Sequence, residues 1–313
     1  MRLTAPDNAM DAGRLSSART YVLMTAAHNE EAFIEKTIRS VLAQTLLPAR
    51  WVIVSEGSAD KTDEIVESYA RRHAFISFLK LNRPPGRNFG SKGLALEKGK
   101  RLLEGLSYGF IGNLDADVAV EASYFEALLG KFDRDPRLGI AAGFIYEEQD
   151  GEFRSRTANR VDSVPHAAQL VRRECYQAIG GYFVFKHGGE DWYAQQSAKM
   201  EGWHAEAVPD LRVFHARHTG AAGSLLRNQF RLGCLDYSFG SDPLFEIFKC
   251  TVRVAESPWL VGAIARFLGF AWSGINREKR PVSKRFVDFL RKEQRAKVRC
   301  VFHGTSRERL RSV

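Results

Sequence analysis

Cysteine is scarce in this chain of 313 residues: Cys175, Cys234, Cys250 and Cys300 stand far apart, with no CxxC pair. That spacing suggests neither a zinc site nor a disulfide framework, and it fits a reducing compartment such as the cytosol. Long apolar runs are missing as well. The segment that comes nearest to a membrane span, SPWLVGAIARFLGFAWSGI (257–275), is interrupted by Arg266 and falls short of the charge-free length a spanning helix requires. The first twenty residues, MRLTAPDNAMDAGRLSSART, are polar and mixed in charge, without the apolar stretch of a signal peptide, so export is not expected. Internal repeats and low-complexity tracts are absent too.

What is present is a 44% hydrophobic composition, ample for a core, and a net charge of +9 that is unevenly placed. From Asn276 to Val313 there are 13 Lys or Arg against 4 Asp or Glu, so the rest of the chain is close to neutral. A basic end on a neutral body argues against a nucleic-acid surface and for a local anionic partner of the tail.

From Tyr21 short apolar runs alternate with amphipathic stretches: YVLMTAA, then EEAFIEKTIRSVLAQ, WVIVSEGS, KTDEIVESYARRH, FISFLKL, GRNFGSKGLALEKGKRLLEG and YGFIGNLDAD. This alternation predicts an α/β fold with a mostly parallel sheet flanked by helices. Ligands in such sheets bind at the carboxyl ends of the strands. Composition shifts near residue 220, after which the pattern is helical. The expected organisation is a flexible tail at 1–20, a domain at 21–220 and a helical, basic region at 221–313.

The apolar run FIGNLDADVAV ends in two aspartates, Asp115 and Asp117, one residue apart. If both lie in strand geometry they share a face, where their repulsion calls for a cation between them. Oxygen ligands suit Mg2+ or Mn2+, which complete their coordination with water and substrate phosphates. The competing reading is an ordinary surface turn after a strand.

Five segments taken together resemble family 2 glycosyltransferases: TAAHNEEAFIEKTIRSVLAQT, WVIVSEGSADKTDEIV, GRNFG, LDAD and GGEDW, in that order and spacing from Tyr21 to about Gly220. These are inverting enzymes of the nucleotide-diphospho-sugar transferase (GT-A) fold. The resemblance implies that Asn29 and Glu30 line a nucleotide pocket, with Arg87, Asn88 and Asp115 beside the nucleotide. It implies that Glu56 accepts a hydrogen bond from the base, although Ser55 and Glu56 stand where the family usually carries two aspartates; an ordinary solvated loop glutamate is the other reading of Glu56. Asp115 and Asp117 would hold Mn2+ or Mg2+, with His215 as a further metal ligand and Arg217 and His218 in reserve; a structural histidine is the competing reading of His215. Asp191 would be the general base, Glu190 would position the acceptor or the loop, and Trp192 would stack on an acceptor sugar. A helix start with acidic residues against the macrodipole describes the same segment and is compatible with that role.

GRNFGSKG lacks the spacing of a phosphate-binding loop, so Lys92 reads as a solvated helix residue. The Gln-x-x-Arg-Trp signature of processive family members is also missing; the nearest segment, NQFRLG, does not match it. The resemblance therefore implies one sugar per encounter, moved from a nucleotide-sugar donor, a UDP-sugar first, to a lipid-linked or saccharide acceptor.

The 257–275 stretch carries aromatic residues near both ends and precedes the basic tail, as an interfacial helix would. Packing against the main domain is the alternative. The first reading places the protein in the cytoplasm, peripheral on the inner membrane surface. A non-catalytic nucleotide-sugar-binding or scaffold protein of the same fold is the rival to the enzyme, supported by the Ser55–Glu56 departure alone.

Overall fold

The computed structural model describes residues 19–82, 91–149, 151–181, 183–217, 225–255 and 259–302. Arg87, Asn88, His218 and the expected N-terminal tail up to residue 18 lie outside them. The chain divides into two compact units, one of residues 1–184 and 201–218, the other of residues 185–200 and 219–313.

The first unit is built on a nine-stranded sheet. Its strands are β1 (Tyr21–Ala27), β2 (Arg50–Glu56), β3 (Ile76–Leu81), β4 (Phe110–Leu114), β5 (Val118–Val120), β6 (Leu138–Gln149), β7 (Glu152–Ser155), β8 (Ala168–Arg172) and β9 (His204–His215). They run in the order β3-β2-β1-β4-β8-β6-β9-β5, with β7 paired to β6. The β3-β2-β1-β4 half is parallel, and β1 lies in register with β2 from Val22↔Arg50 to Ala27↔Ser55. Beyond β4 the sheet is mixed: β8 runs antiparallel to β4 and β6, and β9 runs parallel to β6.

The parallel half is covered by α1 (Ile34–Leu42), α2 (Thr62–Arg72) and α3 (Ser91–Lys100); α4 (Tyr124–Arg134) and α5 (Arg173–Ala178) follow. α1 buries Ile34, Thr37, Ile38 and Val41, the helical i, i+3, i+4, i+7 stripe. Tyr21, Leu23, Trp51, Ile53, Tyr124, Phe125 and Phe132 fill the core beside them. Polar atoms inside are paired in series, since Trp51 Nε1 donates to Thr25 Oγ1 at 2.9 Å and Thr25 Oγ1 donates to the Leu114 carbonyl at 2.7 Å. Gly112 is required at the middle of β4, because a Cβ there would meet Leu23 Cδ2 at 2.6 Å and the Gln169 carbonyl at 2.8 Å.

The second unit is helical: α6 (Glu190–Met200), α7 (Leu225–Ser238), α8 (Pro243–Val252), α9 (Trp259–Ile275) and α10 (Lys284–Phe302). α7 and α9 touch backbone to backbone. A Cβ on Gly233 would lie 1.9 Å from the Arg266 carbonyl, and one on Gly269 would lie 2.0 Å from the Phe230 carbonyl. α8 begins with Asp242 as its N-cap, accepting from Leu244 N at 3.0 Å, and with Pro243 in the first turn where its missing N–H costs nothing. Arg295 of α10 reaches back to Asp242 Oδ2 at 2.8 Å.

Candidate active site

The feature that organises the first unit's site is the turn between β4 and β5. β4 stops at Leu114, so Asp115 and Asp117 do not share a strand face as their spacing suggested; they sit on a turn that three neighbours pin. Asp115 N donates to the Ala167 carbonyl at 2.7 Å, Thr37 Oγ1 of α1 donates to the Ala116 carbonyl at 2.8 Å, and Ala216 N donates to the Asp117 carbonyl at 3.1 Å. Ala116 is buried beneath the turn.

The two carboxylates have different partners. Asp115 Oδ1 accepts from Asn113 Nδ2 at 2.8 Å and from Lys92 Nζ at 2.5 Å. Lys92 is therefore an ion-pair partner of the site rather than a merely solvated helix residue. Asp117 faces His215 Nε2 at 3.4 Å and Arg217 Nε at 3.8 Å. The antiparallel register Val118↔His215 between β5 and β9 delivers the imidazole there. Arg217 also pairs with Glu30 through Nη2 to Oε2 at 2.6 Å and Nη1 to Oε1 at 3.1 Å, so one guanidinium links the loop after β1 to the loop after β4.

Burial and charge set the protonation of this group. Burial pushes the Glu30 carboxyl up to about 7, with Arg217 pulling it down and Asp117 adding to the rise. Burial also works against ionised Asp117, yet His215 and Arg217 outweigh it and hold that carboxyl below its ordinary value. For His215 burial favours the neutral ring, but the hydrogen bond and charge of Asp117 prevail and raise its pKa. His215 Nδ1–H donates to the Arg217 carbonyl, which turns Nε2 toward Asp117.

The loops after β1 and β2 interlock beside the turn. Asn29 adopts a left-handed conformation at φ 56°, which asparagine tolerates better than most residues, and its Oδ1 accepts from Ala59 N at 2.8 Å. Glu30 N donates to Thr62 Oγ1 at 2.7 Å, and His28 Nδ1 lies 2.9 Å from the Glu56 carbonyl. Ser55, standing where the family usually has a carboxylate, is fully buried and hydrogen-bonded to Asp63 and to Ser58. Glu56 is half-buried, and among the described residues its carboxylate has no partner.

The chemistry of the donor set fits a hard divalent cation: two carboxylates and an imidazole nitrogen, with Lys92 and Arg217 supplying positive charge against the same carboxylates. No group of three His, Cys, Asp or Glu among the described residues makes a metal cage by itself. A cation held by one or two carboxylates that takes its other ligands from phosphate and water needs no such cage.

In the second unit, Gly188 and Gly189 take left-handed φ values of 81° and 90° and lead into α6. Glu190 Oε1 accepts from Phe185 N at 3.3 Å, so Glu190 closes its own loop. Asp191 is exposed on the first turn, and its Oδ1 accepts from Trp192 N at 2.7 Å. Trp192 stacks on Phe239 with ring centroids 5.0 Å apart and is 36% exposed.

A family model described as Glycosyl transferase family 2 matches residues 23–196, more than half of the chain and a span that includes both aspartate motifs. The chain belongs to glycosyl transferase family 2. The EpsJ protein of Bacillus subtilis, named an uncharacterized glycosyltransferase, is 28% identical over 153 residues, which are 48% of this chain and 42% of that protein. This chain thus matches less than half the length of that relative. Among solved structures, S. aureus TarS in complex with UDP-GlcNAc superposes with a TM-score of 0.53 at 12% identity, covering 91% of this chain and 86% of that one. A mannosyltransferase of Pyrobaculum calidifontis, PcManGT, in complex with GDP-Man and Mn2+, gives 0.51 at 15% identity, covering 93% and 84%. At such identities the likeness establishes the fold, which is that of the GT-A glycosyltransferases.

The sequence signalled Asp115, Asp117, Glu30, Asn29 and His215, and these assemble around one turn. It undervalued Arg217, held only in reserve, and missed the role of Lys92. The available signal was a cation in the first turn of α3, within reach of a carboxyl-end loop, but no periodicity distinguishes it from a solvated lysine.

Proposed function

We propose that this family 2 protein transfers a sugar, with inversion, from a nucleoside-diphosphate donor, a UDP-sugar in the first instance, to a hydroxyl of a lipid-linked or polysaccharide acceptor. The acceptor would be met at the cytoplasmic face of a membrane. The observation that carries the reading is the pinned turn at the end of β4, where Asp115 and Asp117 stand with His215, Arg217 and Lys92 at the carboxyl edge of a parallel sheet. The UDP-GlcNAc and GDP-Man held by the fold neighbours support a nucleotide-sugar donor, and the Mn2+ of PcManGT supports a divalent ion.

Asp115, Asp117 and His215 would hold Mn2+ or Mg2+. Such an ion offsets negative charge on the departing diphosphate. Asn29 and Glu30 would line the nucleotide pocket and Glu56 would accept from the base; the family resemblance gives Arg87 and Asn88, outside the described residues, a role in binding the nucleotide. Asp191 takes the proton of the acceptor hydroxyl as its oxygen bonds to the anomeric carbon, and the sugar–phosphate bond breaks with its electron pair leaving on the nucleoside diphosphate. Glu190 fixes the loop that carries Asp191, and Trp192 offers its exposed ring surface to an acceptor sugar.

The test is a binding and turnover screen of UDP- and GDP-sugars with Mn2+ and Mg2+, run on the wild type and on Asp191→Asn. Transfer should fall about 10²- to 10⁴-fold, the usual worth of a general base, while the dissociation constant of the nucleotide sugar stays put. Full turnover by Asp191→Asn would remove it from the mechanism. Absence of any nucleotide-sugar turnover in the wild type, with binding intact, would instead favour the non-catalytic reading.

A further inference from the structure

In a soluble helical protein the large apolar side chains of a helix face inward and its charges face out. α9 does the reverse. Its buried positions are Gly262, Ala263, Arg266, Gly269, Phe270 and Ser273, mostly small residues that let α7 approach closely. The helix's one charge is turned inward, where Arg266 meets Asp236 at 2.5 Å and Glu246 at 3.3 Å. The outward face is left wholly apolar: Trp259 is 74% exposed, Leu260 55%, Leu268 53%, Trp272 58% and Ile275 78%.

The neighbouring helix extends the surface. α8 buries Glu246 and Lys249 while exposing Leu244 at 77% and Ile247 at 47%. Twelve of the twenty-one exposed large hydrophobic side chains among the described residues fall between Leu244 and Ile275. That concentration is not the scatter of single apolar residues normal on protein surfaces. The chain leaves α9 directly into Arg277, Lys279, Arg280, Lys284 and Arg285, all exposed.

We infer that the outward faces of α8 and α9 dock on a lipid bilayer, with the aromatic and aliphatic side chains in the headgroup layer and the 277–285 cations on anionic lipid. The inference rests on the membrane placement proposed above and not on its transfer chemistry. Three observations select this occupant. No helix among the described residues is long and apolar enough to cross a membrane, so the surface lies on the bilayer. Tryptophans stand near both ends of the face, where amphipathic rings sit at headgroup level. The adjoining charge is positive, so anionic lipid complements it, whereas a second copy on the same face would bring two like-charged tails together.

The experiment is flotation of the full chain with vesicles of phosphatidylcholine, alone or with phosphatidylglycerol. The wild type should partition onto the phosphatidylglycerol vesicles, and Leu268→Glu with Trp272→Glu should lower the partition coefficient by at least about tenfold. Lys279→Gln with Lys284→Gln should weaken binding to the anionic vesicles by about fivefold per residue and spare the apolar contribution. Leu46→Glu with Leu47→Glu, exposed residues of the first unit, should change nothing. Equal flotation of the face variant and the wild type overturns the inference, as does a wild type that ignores vesicles but forms a dimer that Leu268→Glu dissolves. Asp117→Asn should float like the wild type, and the face variant should still hydrolyse a soluble nucleotide sugar, so failure of docking and failure of the transfer reading are read separately.

Discussion

Each unit contains a knot of charged side chains, and the two differ in how deeply the cations are held. In the first unit Glu30, Asp115 and Asp117 meet Arg217 and Lys92, whose side chains are 44% and 38% exposed. In the second, Asp236 and Glu246 meet Lys249 and Arg266, which are 7% and 9% exposed. The acids of the first knot are only 12–25% exposed, but its cations reach solvent, so Lys92 and Arg217 can exchange a carboxylate for water, an ion or a phosphate at less cost than a cation shut inside. Breaking a buried pair strands a charge and costs about 3–5 kcal/mol, so the second knot holds α7, α8 and α9 together. The two acids of that knot also compete: both cations hold Asp236 below its ordinary value against burial, while burial and the Asp236 charge raise Glu246. The two knots differ in the exposure of their cations, not in the number of their charges.

Substitutions can break this contrast. The largest effect is expected for Asp117→Asn, which removes charge where the ion and diphosphate would sit. kcat/KM with a nucleotide sugar and Mn2+ should drop by about 10³-fold, in line with the several kcal/mol such charge stabilisation supplies, while the melting temperature falls only modestly, by the lost pairing with His215 and Arg217. A variant that melts far earlier would make the first knot structural too.

Arg266→Met should do the opposite, lowering unfolding stability by about 3–5 kcal/mol in a denaturant titration and leaving hydrolysis of a soluble nucleotide sugar unchanged in the surviving folded fraction. Adding Glu246→Leu should restore most of that loss, because an apolar pair of similar volume dispenses with the desolvation of the ions. No recovery in the double variant would mean that the knot is more than a brace.

Asp242 lies outside both knots, a buried carboxylate with an exposed partner, since its side chain is 6% and that of Arg295 63% exposed. Burial works against its ionisation, but Arg295 and the N-cap hydrogen bond prevail and lower its pKa. Its contribution is therefore complete above the unfolded value of about 3.9 and is lost as pH falls through the lower folded value. Asp242→Ala should cost about 1 kcal/mol at pH 7, and the gap to the wild type should narrow progressively in melts run at pH values stepped down below about 3.9. A gap that persists in acid would assign the loss to packing.

The smallest stability effect belongs to Lys92→Met, within about 1 kcal/mol by chemical denaturation, while KM for the nucleotide sugar moves. A stability loss several times larger would erase the distinction between the knots.

Much of this was legible in residue order. The apolar runs that form β1, β2, β3 and β4 are continuous because strands covered on both faces have no polar side to declare. Asp115 and Asp117 stood out because acids at the end of an apolar run are costly enough to need a reason, and folding sets them on one turn with Lys92, His215 and Arg217; the base role of Asp191 belongs to the proposal. The turn geometry of Asp115 and Asp117 was not legible, since strand termination is decided by Thr37 and Ala167, distant in sequence, taking the hydrogen bonds of the turn. Lys92 looked like any helix lysine until folding set it against Asp115.

The sequence alone thus determined the family, through five segments that resemble it together, and the α/β pattern, through the alternation of apolar runs with amphipathic stretches. Which face of α9 is covered was left to the tertiary structure. A helix apolar almost all round declares its side only weakly; the reciprocal approach of Gly233 on α7 and Gly269 on α9, and the acids that draw Arg266 inward, choose which side meets water.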